Sequence, residues 1–94
     1  MSDLLDQEEL KSALKKRPEW DLEGKSITRV VEFEDYMEGI DFVNLVAEVA
    51  EEAQHHPDIT INYTKVTISL TSHEAGGITE DDIELADRIS NLVD

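Results

Sequence analysis

The sequence predicts an α+β fold in the order α-β-β-α-β-β-α, on three observations. Two stretches alternate apolar and polar residues at period two, and each doubles back across a short turn. Three others carry apolar residues at helical spacing. Each of these three opens on an Asp or Thr followed three residues later by an acidic residue, which is the spacing of a capping box.

The first helix opens at Asp6-Gln7-Glu8-Glu9 and is predicted to run to about Lys16. Leu10, Ala13 and Leu14 give it a modest apolar face. Lys15, Lys16 and Arg17 suit the negative end of the helix dipole, and Pro18 stops the helix. Trp20-Asp21-Leu22-Glu23, the turn Gly24-Lys25 and residues 26–33, with Ile27, Val31 and Phe33 at period two, form a hairpin. Trp20 reads as a core or interface anchor. Arg29 interrupts the apolar face of the second strand, which places that strand near an edge or beside an anionic group.

Asp35-Tyr36-Met37-Glu38 opens the longest helix, predicted to reach about Gln54. Ile40, Val43, Ala47 and Ala50 form one stripe, and Phe42, Leu45, Val46, Val49 and Ala53 a second beside it. Together they span roughly 220° of arc at about 100° per residue. That is wider than a helix lying on one sheet requires. Either another subunit covers the excess or the other two helices do, and another subunit is the expectation.

Pro57 disfavours helical geometry at His56, so the helix ends at or just before His55-His56. Continuing the helical wheel puts His55 on the polar arc and His56 at the edge of the apolar one. Neighbours pointing in different directions suit two atoms of one substrate better than one metal ion. The same pair also suits a merely polar helix end, because an isolated His pair is a weak motif. Residues 58–63, with Ile59, Ile61 and Tyr63 on one face, and 65–72, with Val66, Ile68 and Leu70 on one face, make the second hairpin. Thr67, Ser69, Thr71 and His73 fall on its polar face. The hairpin begins just after Pro57, so its exit returns His73 to within reach of His55 and His56. Glu74-Ala75-Gly76-Gly77 is a loop whose glycines permit positive φ and close approach to a ligand, without the lysine and spacing of a phosphate-binding loop. Thr79 caps the last helix, whose buried face is Ile83, Ala86, Ile89, Leu92 and Val93. Asp82 is its capping-box partner, which explains that residue without catalysis.

Eight Lys and Arg against 23 Asp and Glu give a net charge of −15. Phosphate neutralisation needs clustered cations, so direct nucleic-acid binding is not expected. The acidity reads as a solvated surface. With no cysteine there are no disulfides, thiolate metal sites or cysteine nucleophiles, which fits a reducing compartment. The start Met1-Ser2-Asp3 is unlike a signal peptide, and no apolar run approaches the roughly 18 residues that span a bilayer. One domain over 1–94, cytoplasmic and with no membrane partner, is the expectation.

As a set, Trp20, Phe33, Phe42, His55-His56-Pro57-Asp58, Tyr63, Lys65-Val66, Leu70, Ser72-His73, Gly76-Gly77-Ile78-Thr79, Asp82 and Leu85-Ala86 resemble the pterin-4a-carbinolamine dehydratase family over nearly the whole chain. The resemblance implies one four-stranded antiparallel sheet with three helices on one face, assembled as a homodimer or homotetramer. It implies loss of water from a 4a-hydroxytetrahydropterin to give the quinonoid dihydropterin, with neither metal nor organic cofactor. His55, His56 and His73 would be the catalytic residues, and Asp82 would orient a histidine. His55, His56, Pro57, Ser72 and His73 would contact the pterin substrate. His55 and His73 are assigned to proton transfer around the 4a-hydroxyl, and His56 to substrate positioning with a base role open to it. Two departures stand out: Ile59 where some relatives carry an aromatic residue, and Ser72 where a threonine is common. A protein-interaction module, or a pterin role alongside molybdopterin metabolism, are the alternatives.

Overall fold

In the computed structural model, which describes residues 3–93, the elements follow in the expected order. They are α1 (Gln7–Lys15), β1 (Asp21–Glu23), β2 (Ser26–Glu32), α2 (Tyr36–Ala53), β3 (Asp58–Asn62), β4 (Lys65–Leu70) and α3 (Glu80–Val93). The first two helices open as predicted. Asp6 accepts the Glu9 amide while the Glu9 side chain accepts the Asp6 amide, and Asp35 and Glu38 do the same for α2.

The strands form one antiparallel sheet in the order β1-β2-β4-β3. Its register sorts the side chains into two faces, because directly paired residues point the same way. Ile27 pairs with Leu70, while Arg29, Ile68 and Ile59 align in one row and Val31, Val66 and Ile61 in the next, all towards the helices. Ile27, Val66, Ile68 and Leu70 are fully buried there. The opposite face carries Thr28, Ser69 and Asp58 in one row and Val30, Thr67 and Thr60 in the next.

Arg29 lies where the sheet edge was expected: β1 pairs with β2 only from Ser26 to Thr28, so from Arg29 onward β2 is bordered by β4 alone. The guanidinium is buried because it reaches across the core, where Nη1 donates to Ser90 Oγ of α3 at 2.8 Å. The same hydroxyl accepts Trp20 Nε1–H at 2.9 Å, so Trp20 is a core anchor tied to α3.

Helix α2 packs on the sheet and on α3 through Gly39, Phe42, Val46 and Ala50, with Ile40, Val43 and Val49 half-buried at the margins. Phe42 lies against Phe33 with ring centroids 5.2 Å apart. Its own chain therefore covers much of the wide apolar arc. Leu45, Met37, Ala47 and Ala53 remain exposed. In α3 the buried face is Asp82, Ile83, Leu85, Ala86 and Ile89; Leu92 is half-buried and Val93 exposed, as the helix runs past the core's edge.

Candidate active site

The end of α2 determines where the histidines go. Gln54 adopts a left-handed conformation, φ 54° and ψ 39°. The His55 amide then donates back to Ala50 O at 3.1 Å and the Gln54 amide to Glu51 O at 3.2 Å, the paired bonds of a Schellman ending. The Gln54 side chain adds a bond from Nε2 to Glu51 O at 2.8 Å. This turn breaks the helical wheel, so the sequence-based placement of the two rings is reversed. His55 turns inward and is half-buried; His56 is exposed and pairs through Nε2 with Glu51.

His55 Nε2 lies 2.5 Å from Asp82 Oδ1. Asp82 sits on the first turn of α3 with its side chain fully buried, against 20 % exposure for the His55 side chain. Its other oxygen, Oδ2, accepts the Thr79 amide at 2.8 Å and the Ser72 hydroxyl at 2.8 Å. Ser72 Oγ also lies 2.9 Å from Thr79 Oγ1. Asp82 thus bridges two segments: one oxygen caps α3 and the other meets His55 Nε2. An aspartate on a helix's first turn also sits well in the dipole field.

His73 arrives from the other joint. After β4, Ser72 pairs with Gly77 and its carbonyl accepts the amides of Ala75, Gly76 and Gly77. His73 occupies this turn, exposed. Gly76 has φ +83°, while a Cβ on Gly77 would meet Leu4 Cδ2 at 3.0 Å, so the close approach there is to the N-terminal segment.

His55, His56, Ser72 and His73 all line one cleft of about 750 Å³, beside Thr79 and Leu4. Asp82 stands behind its wall. Pro57, expected to contact substrate, falls outside the lining; it is half-buried at the entry to β3, where its ring suits extended backbone. Two contributors were missed by sequence reasoning. The Thr79 hydroxyl reads as a cap only, and Leu4 reaches the cleft because 4 bridges to 79, a long-range pairing with no local signal. Among the described residues, no group of three or more His, Cys, Asp or Glu is arranged to hold a metal ion.

Residues 3–92 match the family model described as Pterin 4 alpha carbinolamine dehydratase. The chain belongs to this family. It is 49% identical over 92 residues to a protein of Cyanothece sp., covering 98% of this chain and 95% of that one, whose dehydratase name is given provisionally. A protein of Natronomonas pharaonis with the same provisional name is 45% identical over 94 residues, covering all of both chains. Among solved structures, a transcriptional coactivator/pterin dehydratase from Brucella melitensis superposes with a TM-score of 0.89 at 31% identity, covering 95% of this chain and 97% of that one. A pterin dehydratase-like protein described as a RuBisCO assembly factor in the alpha-carboxysome gives 0.67 at 28% identity, covering 78% and 87%.

Proposed function

We propose that this protein dehydrates 4a-hydroxytetrahydropterin to the quinonoid dihydropterin in tetrahydropterin recycling. In this reaction the C4a–O bond breaks and its electrons leave with the hydroxyl, which gains a proton and departs as water. The N5–H proton passes to a base, and its bond electrons form the C4a=N5 double bond. One acid and one base suffice, and imidazoles serve both ends at neutral pH without a cofactor.

The observation that carries this reading is the convergence of His55, His56 and His73 on one cleft, with His55 fastened to a buried carboxylate. His55 and His73 exchange protons around the 4a-hydroxyl, and exposed His56 positions the substrate. The test follows the decay of 4a-hydroxytetrahydropterin generated in situ. His55→Ala and His73→Ala each lose about a hundredfold of the acceleration, the scale of a removed general acid or base. Rates equal to wild type in folded variants would remove those residues from the mechanism.

The working form is a homodimer or homotetramer in the cytoplasm, its contact drawn from the exposed Met37 and Leu45 of α2. A second reading, a protein-interaction module, is favoured by the coactivator description of the Brucella structure and by the same exposed side chains. An adaptor has no use for convergent imidazoles, so it predicts that the histidine variants keep every function of the protein.

A further inference from the structure

We infer that Ser72 and Asp82 act together as positioning residues that fix His55 in its Nε2–H tautomer, leaving Nδ1 as the nitrogen that exchanges a proton with substrate. This rests on the dehydratase reading for its catalytic consequence, though not for the tautomer itself.

The positions of the hydrogens decide the tautomer. The backbone amide of Thr79 can only donate, and it donates to Asp82 Oδ2 at 2.8 Å. The Ser72 hydroxyl gives its single proton to the same oxygen at 2.8 Å. With that proton spent, the 2.9 Å contact between Ser72 Oγ and Thr79 Oγ1 is satisfied by the Thr79 hydroxyl donating to Ser72. Two donors thus hold the carboxylate in one orientation, and Oδ1 faces His55 Nε2 at 2.5 Å as an acceptor. An acceptor there requires the ring proton on Nε2. A neutral imidazole has one N–H, so Nδ1 is bare. Either direction of transfer then runs through Nδ1: bare, it takes the N5 proton as C4a=N5 forms; protonated, it supplies the departing hydroxyl, which leaves as water.

Although Ser72 lines the cleft, its one proton goes to Asp82 and its oxygen accepts from Thr79, so it has no proton left to donate to a substrate. The consequence of Asp82→Asn follows from the same geometry. Because the Thr79 amide demands an oxygen, the new side chain must turn its carbonyl towards it and its NH₂ towards His55. Nε2 becomes the acceptor and the proton moves to Nδ1. A reversed tautomer of this kind is strongly damaging in the Ser-His-Asp triad of serine proteases.

The experiment is ¹⁵N NMR of the histidine-labelled protein, paired with kinetics on the 4a-hydroxytetrahydropterin assay. Wild type shows the His55 proton on Nε2, and Asp82→Asn shows it on Nδ1 with kcat down at least about a hundredfold. Ser72→Ala lowers kcat about tenfold with KM unchanged, as loss of one hydrogen bond to a charged group predicts, and Ser72→Thr restores it. A wild-type His55 carrying its proton on Nδ1, or an unchanged tautomer in Asp82→Asn, would overturn the inference. So would Ser72→Ala raising KM with kcat intact, which assigns the hydroxyl to substrate. If wild type fails to accelerate dehydration, the dehydratase reading falls, while the spectra still decide the tautomer.

Discussion

Gln54 and Gly76 are the two backbone positions that aim the candidate site, and only one of them announces itself in the sequence. A glycine in a turn is a direct signal for positive φ; a glutamine is not. The placement of His55 and His56 was therefore reversed, although their presence at the joint, and the return of His73 to it, followed from Pro57 and from the hairpin's length. The glycine pair separates backbone from packing. Gly76→Ala meets nothing within 4 Å but stands at φ +83°, so it should cost about 1–2 kcal/mol in urea unfolding. Gly77→Ala meets only the tip of Leu4, a side chain that is half exposed and free to shift, and should cost less than about 1 kcal/mol. The opposite order would show that the turn is limited by packing against the N-terminal segment.

Among the elements, helix and strand order was readable because capping boxes and period-two alternation are local signals. Strand neighbours are not local, and β2 illustrates the difference. A charged residue in an apolar alternation reads as an edge, and β1 does stop at Thr28, yet the Arg29 side chain is buried because α3 supplies a hydroxyl across the core. Ser90 accepts from both Arg29 and Trp20. Ser90→Ala removes an acceptor from two buried donors at once, and should cost about 2 kcal/mol, the scale of leaving buried polar groups unsatisfied. Guanidinium or urea denaturation measures it; a cost near zero would mean that neither donor depends on the hydroxyl. Leu85 was missing from the predicted face of α3 for a similar reason: the helix is buried over a wider arc than one stripe, since sheet and α2 both press on it.

Over the whole molecule the net charge of −15 is the dominant property, and its physical consequence is self-repulsion of the folded state. The ion pairs opposing it are exposed and few among the described residues. Arg17 meets Asp87 at 2.6 Å, and Arg88 meets Glu52 at 2.6 Å. The hydrogen bond to Asp87 raises the Arg17 guanidinium above its ordinary value against the opposing pull of burial. Such surface pairs contribute little. Raising NaCl from roughly 0.1 to 1 M shortens the screening length from about 10 to 3 Å and should therefore raise the urea midpoint. A falling midpoint would show that the ion pairs outweigh the repulsion. Assembly belongs to this scale too: light scattering should give a dimer or tetramer, and a strict monomer would leave Met37 and Leu45 as solvent-facing side chains.

We propose that three histidines from two distant joints form one dehydrating site. The most direct measurement is the decay rate of 4a-hydroxytetrahydropterin, generated in situ, with and without the wild-type protein at neutral pH. Decay should accelerate in proportion to protein concentration and saturate with substrate. Decay indistinguishable from the spontaneous reaction at every protein concentration would contradict the proposal.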